Sequence, residues 1–108
     1  MEEERSNPRL VDLSPAALED LAALVIYTRH AWGDAQAERY EAALISFLEG
    51  LAEESPTDDP TNHLRVRVFQ TRPRAHGYRI FYRYDPGRLY ILRIVHTAMN
   101  FYLEDLNP

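Results

Sequence analysis

The alternation of apolar and polar residues near the start of the chain predicts a short strand followed by a helix. Residues 9–13 alternate as Arg-Leu-Val-Asp-Leu, which is typical of a half-buried strand. Ser14 and Pro15 then supply a helix N-cap and a proline at the first helical position. The apolar positions expected on the buried face of this helix are Leu18, Leu21, Ala22, Val25 and Trp32.

A second amphipathic helix is predicted directly after the first. Gly33 is expected to end the first helix and Asp34 to cap the second. Because the link is so short, the two helices are predicted to form an antiparallel hairpin. Trp32 and Tyr40 are expected to pack together where the helices turn, and onto the sheet. The apolar stripe of the second helix consists of Ala37, Tyr40, Leu44, Phe47, Leu48 and Leu51.

After the helices, the apolar period changes to that of strands. Residues 55–62 hold two prolines and no apolar side chain, which indicates a loop. Strands are predicted over 64–69, 78–84 and 89–96, and the short turn at 85–87 favours antiparallel pairing of the last two. The predicted fold class is therefore α+β, in the order β-α-α-β-β-β, with a helical hairpin packed on one face of a mainly antiparallel sheet.

Length and composition agree with one small globular domain. The chain has 108 residues, of which 45% are hydrophobic and 27% charged, and this length has room for a single core. One domain is predicted over residues 1–108, with residues 1–8 flexible and residues 101–108 forming a C-terminal tail. The absence of cysteine excludes thiol catalysis and thiolate metal sites. With no long apolar run and an acidic start, a cytoplasmic protein without membrane contact is expected.

Charge is divided unevenly along the chain. Residues 1–60 contain 14 acidic residues against 4 arginines, whereas residues 61–108 contain 8 arginines against 3 acidic residues. All 12 basic residues are arginine, whose planar fork suits carboxylate or phosphate. The C-terminal half is therefore predicted to meet an anionic partner.

Strand alternation predicts which residues of the sheet face the helices. The inward set is Leu64, Val66, Val68, Ile80, Tyr82, Leu92 and Ile94. The outward set is Arg65, Arg67, Phe69, Arg79, Phe81, Arg83, Ile91, Arg93 and Val95. Five arginines would then share the uncovered face, as a docking surface for a carboxylate-rich protein segment or for nucleic acid. A solvated strand face is the alternative.

Histidine is the remaining candidate for chemistry. His96 ends the last strand and is of a type that titrates near neutrality, which suits a general acid or base. Hydrogen bonding of its ring to the backbone is the alternative interpretation. The other histidines lack the spacing of metal ligands, so no metal and no cofactor are expected.

Three segments resemble ParE toxins, which belong to the ParE/RelE superfamily of bacterial type II toxin–antitoxin systems. Residues 26–40, with Trp32-Gly33 and then Gln36-Ala37 and Tyr40, are similar to the helical-hairpin signature. Residues 79–83 resemble the family's "IFYR" strand, and residues 93–100 its "R-[IV]-[LV]-H-x-x-M-[DN]" ending. The resemblance covers residues 10–100 in the family's order.

This resemblance implies a small toxin that binds and poisons DNA gyrase and is neutralised by a ParD-like antitoxin. The antitoxin's C-terminal segment folds as it binds, and an acidic, initially disordered segment would suit the arginine-rich face. The residues expected to contact the antitoxin or the target are Arg65, Arg67, Arg79, Phe81, Arg83, Arg93, His96, Met99 and Asn100.

The RelE-like ribonucleases of the same superfamily, which cut mRNA on the ribosome, are the alternative. Their catalytic positions would correspond to Arg65, Arg67, Arg79 and His96. However, Thr97-Ala98 stands where those toxins carry a basic residue, and Glu104 where they carry a catalytic tyrosine. A toxin that works by binding rather than as an enzyme is therefore favoured. An inactive homologue serving as a binding module is a further alternative, and the hairpin at 70–77 is longer and more basic than the family's usual turn.

Overall fold

The computed structural model describes a four-stranded sheet and two helices within residues 9–54, 63–72, 75–85 and 87–99. The elements are β1 (Leu10–Leu13), α1 (Pro15–Trp32), α2 (Asp34–Glu53), β2 (Arg65–Phe69), β3 (Tyr78–Tyr84) and β4 (Arg88–His96). Their order and type confirm the predicted β-α-α-β-β-β arrangement. The predictions for residues 1–8, for the loop at 55–62, for Asn100 and for the tail at 101–108 lie outside the described residues.

The four strands form one mixed sheet in the order β1-β4-β3-β2. β3 pairs antiparallel with both β2 and β4, whereas β1 lies parallel to β4. A parallel pair needs a crossover connection, and the helical hairpin begins that crossover from β1. The turn between β3 and β4 is held by Asp85, whose carboxylate accepts hydrogen bonds from the backbone N–H of Gly87 (2.9 Å) and Arg88 (2.8 Å). The predicted tight turn is confirmed.

Ser14 and Gly33 fix the ends of α1. The Ser14 hydroxyl accepts the Ala17 N–H (3.0 Å) and donates to the Leu92 carbonyl of β4 (2.9 Å), so one side chain caps the helix and joins it to the sheet. Gly33 has φ 87°, in the left-handed region that favours glycine, and its N–H donates to the Arg29 carbonyl. The predicted cap by Asp34 is wrong, because Asp34 is already the first residue of α2 and its side chain makes no capping hydrogen bond.

The core lies between the helical hairpin and one face of the sheet. The predicted stripe of α2 is confirmed, with Leu44 fully buried and Phe47 packed at the margin. Helix α1 differs from the prediction, because it buries Ala17, Leu24 and Thr28 while Leu18 is 55% exposed. Apolar residues lie all around α1, so its sequence does not single out one buried face. Ala22 and Trp32, also predicted to be inward, are exposed.

The predicted faces of β2 are reversed in the structure. Phe69 is 5% exposed and belongs to the core, whereas Val66 and Val68 are about half exposed. Leu64, just before the strand, is likewise exposed. Register places Arg65 opposite Tyr82 and Arg67 opposite Ile80, and cross-strand partners share a face, so both arginines lie on the helix side. An edge strand tolerates this because arginine stems can lie along apolar surface while the guanidinium groups reach water.

The predicted orientations of Ile91 and Leu92 are also wrong, because β4 contains a bulge. Phe81 pairs with Arg93, but the next residue of β3, Tyr82, pairs with Ile91. Leu92 is therefore an additional residue, which shifts the alternation by one. As a result Ile91 is fully buried in the core instead of pointing outward, and Leu92 is only partly buried.

Candidate partner-binding site

The sheet face opposite the helices, here called the outer face, carries part of the predicted site. It is formed by Val66, Val68, Arg79, Phe81, Arg83 and Val95, together with the β4 position of Arg93. Three of the five predicted arginines belong to this face, and the cluster of five does not form, because Arg65 and Arg67 lie on the other side. The three arginines also differ from one another in their contacts.

Arg79 holds the turn that follows β4. Its guanidinium donates to the backbone carbonyls of Thr97 (3.3 Å) and Met99 (2.8 Å). Gly77 supports the same turn, since its N–H donates to the Thr97 hydroxyl and its carbonyl accepts the Thr97 N–H. Arg79 therefore positions the backbone of residues 97–99, and its charge is not neutralised by these carbonyls.

Arg93 forms an ion pair with Asp20 of α1. Its Nε and Nη2 donate to the two carboxylate oxygens at 2.7 and 3.0 Å, and the same carboxylate accepts the Ile94 N–H at 2.8 Å. The two side chains are 26% and 15% exposed. This bidentate contact ties α1 to the edge of β4 beyond the end of β1 and neutralises Arg93 within the protein.

Arg83 is the exposed arginine of the outer face. Across the described ranges it makes no hydrogen bond and no ion pair, and it lies opposite Tyr90 in the register. Its charge therefore remains available to an acidic group.

Arg65 and Arg67 belong to a cluster around Tyr84 at the other end of the sheet. Arg67 donates to a carboxylate oxygen of Glu54 (2.9 Å), which lies 3.2 Å from the Tyr84 hydroxyl. The guanidinium carbons of Arg9 and Arg65 lie 4.6 and 5.5 Å from the Tyr84 ring centroid. Burial, followed by the charge of Glu54, raises the pKa of Tyr84. These contacts join Arg9 before β1, Glu54 after α2, and strands β2 and β3. Arg65 and Arg67 therefore have structural roles.

A groove of about 480 Å³ lies between α1 and the adjoining end of β4. Asp20 and Arg93 are the charged residues of its lining, and the rest of the lining is mainly apolar. Two residues predicted for partner contact, His96 and Met99, line this groove. Sequence reasoning missed Tyr27, which also lines it and is 58% exposed. The other lining residues are Ala23, Leu24, Tyr78, Ile94 and Val95.

His96 contacts the backbone and two neighbouring rings in the groove. Its Nδ1 accepts the Ala98 N–H at 3.1 Å, which is the backbone contact of the alternative interpretation and leaves the proton of a neutral ring on Nε2. Its ring centroid lies 5.2 Å from that of Tyr78 and 5.4 Å from that of His76. Burial raises the pKa of Tyr78 to about 12, with smaller contributions from Tyr40 and Tyr27, so its hydroxyl is neutral at physiological pH. No group of three or more metal-ligating side chains occurs among the described residues.

A second apolar feature of α1 faces solvent. Leu18, Ala22 and Ile26 follow one another at intervals of four residues and so form one stripe, in which Leu18 and Ile26 are 55% and 59% exposed. Trp32 at the end of the helix is 53% exposed, although its ring packs against Tyr40 at 5.8 Å. The predicted Trp32–Tyr40 contact is confirmed, but Trp32 is not a core residue. In the part of the chain that the structure describes, neither helix is long and apolar enough to cross a membrane.

Comparison with known proteins defines the class to which this fold belongs. The structure is similar to a chain of the chromosomal ParDE toxin–antitoxin system from P. aeruginosa, with a TM-score of 0.57 and 19% sequence identity. That similarity covers 82% of this chain and 95% of the other, and it establishes a ParE-like fold. None of the curated proteins matches the chain by sequence.

Family membership rests on the sequence. The family model described as ParE toxin of type II toxin-antitoxin system, parDE, matches residues 11–101. The chain therefore belongs to the ParE toxin family, as the three sequence segments indicated, and it is a ParE-type toxin of a type II toxin–antitoxin system.

Proposed function

We propose that this toxin acts in the cytoplasm by binding and poisoning DNA gyrase, and that a ParD-like antitoxin neutralises it by docking in the groove between α1 and β4. The apolar groove with its exposed Tyr27 supports this position for the antitoxin, because a segment that folds on binding needs apolar surface to bury. Family membership supports the toxin activity.

The contacts of the candidate catalytic groups favour binding over mRNA cleavage. Arg65 and Arg67 lie in the Tyr84 cluster, Arg79 holds the turn after β4, and the Nδ1 of His96 accepts a backbone hydrogen bond. A cleavage reaction needs a positioned acid or base with freedom to exchange its proton.

Purified toxin added to gyrase tests the proposed target. We expect loss of supercoiling and accumulation of DNA cleaved within the gyrase complex, both reversed by the antitoxin. A parallel translation reaction serves as the control, and we expect its mRNA to remain intact. Cleaved mRNA together with unaffected gyrase would replace the proposal with the ribonuclease alternative, and no effect in either reaction would favour an inactive binding module.

Two aspartate substitutions on α1 test where the antitoxin docks. Tyr27 and Ile26 are exposed to almost the same extent, 58% and 59%, but only Tyr27 lines the groove. We expect Tyr27→Asp to weaken antitoxin binding at least tenfold, measured by calorimetry, because it places a charge in the apolar groove. The matched control Ile26→Asp is expected to change affinity less than threefold. The reverse pattern would place the antitoxin on the stripe of Leu18, Ala22 and Ile26 instead.

A further inference from the structure

Another pocket lies where the turn between the two helices meets the end of β2. Its volume is about 640 Å³, within the range of about 300–1,000 Å³ that is typical of small-molecule sites. None of its described lining residues belongs to the groove between α1 and β4. We call it the hairpin pocket, and its described lining residues are Trp32, Gln36, Arg39, Tyr40, Thr71 and Arg72.

The aromatic part of the hairpin pocket is held in place by the core. Trp32 is 53% exposed, whereas Tyr40 is only 7% exposed, and their ring centroids lie 5.8 Å apart. Tyr40 in turn makes edge-to-face contacts with Phe69 and Tyr78, whose ring centroids lie 5.4 and 6.4 Å from its own. The indole is therefore positioned by packed rings, while the exposed part of Trp32 is available to a planar ligand.

Two arginines give the hairpin pocket a positive charge. Arg39 is exposed on α2, and its Nη2 donates to the Gln36 side-chain oxygen at 2.6 Å, a neutral amide that does not cancel its charge. Arg72, which follows β2, is also exposed. In the described parts of the chain, neither arginine forms an ion pair and no lining residue is acidic. An anionic group in the pocket would therefore meet no internal competitor among these residues.

The backbone after β2 holds Arg72 beside the start of α2. The Arg72 carbonyl accepts the Ala75 N–H at 3.3 Å, and the Gln70 side-chain amide donates to the Ala75 carbonyl at 2.7 Å. These contacts close part of the segment at 70–77, whose basic residues have no role in the groove. The segment thus contributes one cation to a pocket whose other cation comes from α2.

An exposed aromatic ring beside two guanidinium groups suits the two parts of a nucleotide. Bases stack on aromatic side chains, and phosphate oxygens accept strong hydrogen bonds from arginine. Gln36 and Thr71 add an amide and a hydroxyl that can hydrogen-bond a base edge or a sugar. We propose that the hairpin pocket binds a nucleotide unit, with its base against Trp32 and its phosphate held by Arg39 and Arg72. This inference is independent of the proposed gyrase target and of the antitoxin groove.

Fluorescence of Trp32 tests the proposal directly, because it is the only tryptophan of the chain. The probes are adenosine monophosphate, a single-stranded adenylate trinucleotide, and the partial ligands adenosine and inorganic phosphate, all at constant ionic strength. We expect saturable quenching by at least one nucleotide probe and at least tenfold weaker binding of both partial ligands. An affinity at least tenfold higher for the trinucleotide identifies a single strand as the ligand, and a smaller difference identifies a free nucleotide.

Arginine substitutions distinguish this site from general attraction of anions. Arg39→Gln and Arg72→Gln are each expected to weaken nucleotide binding at least fivefold. The matched control Arg83→Gln, on the outer face, is expected to change it less than twofold. All three arginines are exposed, so we expect the variants to fold, and circular dichroism checks this.

Four results would each overturn the proposal. They are equal weakening by all three substitutions, binding of inorganic phosphate as tight as that of the nucleotides, equally tight binding of a glutamate-rich peptide, and the absence of saturable quenching. The first two would indicate attraction of any anion, and the third would indicate an acidic protein segment as the ligand.

Discussion

The ion pair between Asp20 and Arg93 is expected to make the larger contribution to stability of two ion pairs that differ in burial. Replacing Asp20 by Asn removes the negative charge and disturbs hydrogen bonds to the Arg93 guanidinium and the Ile94 N–H. Hydrogen bonds to charged groups contribute about 1.5–3 kcal/mol each, and loss of one partner from a fully buried pair costs about 3–5 kcal/mol. Because the two side chains remain 15% and 26% exposed, we expect a loss of about 2–3 kcal/mol from the free energy of unfolding.

The exposed pair of Asp12 and Arg88 provides a matched control. Its atoms lie 2.9 Å apart, but the side chains are 51% and 46% exposed, so Asp12→Asn is expected to cost about 0.2–1 kcal/mol. Urea denaturation followed by circular dichroism gives both values, and a double-mutant cycle with Arg93→Ala isolates the coupling to Asp20. Equal losses for the two aspartates would show that burial does not strengthen the Asp20 pair.

Three further substitutions have expected outcomes. Trp32→Ala is expected to cost about 1–2 kcal/mol in urea denaturation, below the about 3–5 kcal/mol of a core tryptophan, since Trp32 is 53% exposed; a loss of 4 kcal/mol or so would contradict the half-exposed position. Gly77→Ala is expected to lower the melting temperature strongly or prevent folding, because an added Cβ would lie 1.9 Å from the Phe69 carbonyl oxygen, and a variant that melts like the wild type would refute this contact. Burial raises the pKa of the Tyr78 hydroxyl from 10.0 to about 12. The unfolded chain therefore loses the hydroxyl proton at a lower pH than the folded chain does. As a result, the free energy of unfolding falls as pH rises from about 10 to 12, by up to about 2–3 kcal/mol. Thermal melts across this range check the pH dependence, and Tyr78→Phe should reduce it; an unchanged slope would exclude Tyr78 as its source.

The order and type of the elements were predictable from apolar periodicity together with the cap and turn residues that separate the segments. Helix α2 has most of its large apolar residues on one face, with Ile45 the exposed exception, so its buried stripe follows from sequence alone. Helix α1 is apolar on several sides, and the choice of Leu24 over Leu18 for burial depends on how the hairpin meets the sheet. Local periodicity contains no information about that orientation.

The candidate site was less predictable because it depends on long-range contacts. In β2, one face has valines and the other has arginines with Phe69, so alternation alone permits either orientation. The pairing of Arg93 with Asp20 joins residues 73 apart in sequence, and the bulge at Leu92 has no glycine or proline to mark it. The family resemblance named His96 and Met99 as contact residues, and this stays a prediction; the groove that both residues line also includes Tyr27 of α1.

The parallel pairing of β1 with β4 delays the assembly of the sheet during synthesis. Ser14 is hydrogen-bonded to Leu92, 78 residues later, and β4 is the strand next to β1 among the strands that the structure describes. β1 therefore stays without this partner until residue 92 has been synthesised, at about 5–20 residues per second. Throughout that delay the nascent toxin lacks its finished sheet, which gives the producing cell an interval of several seconds before an active molecule exists.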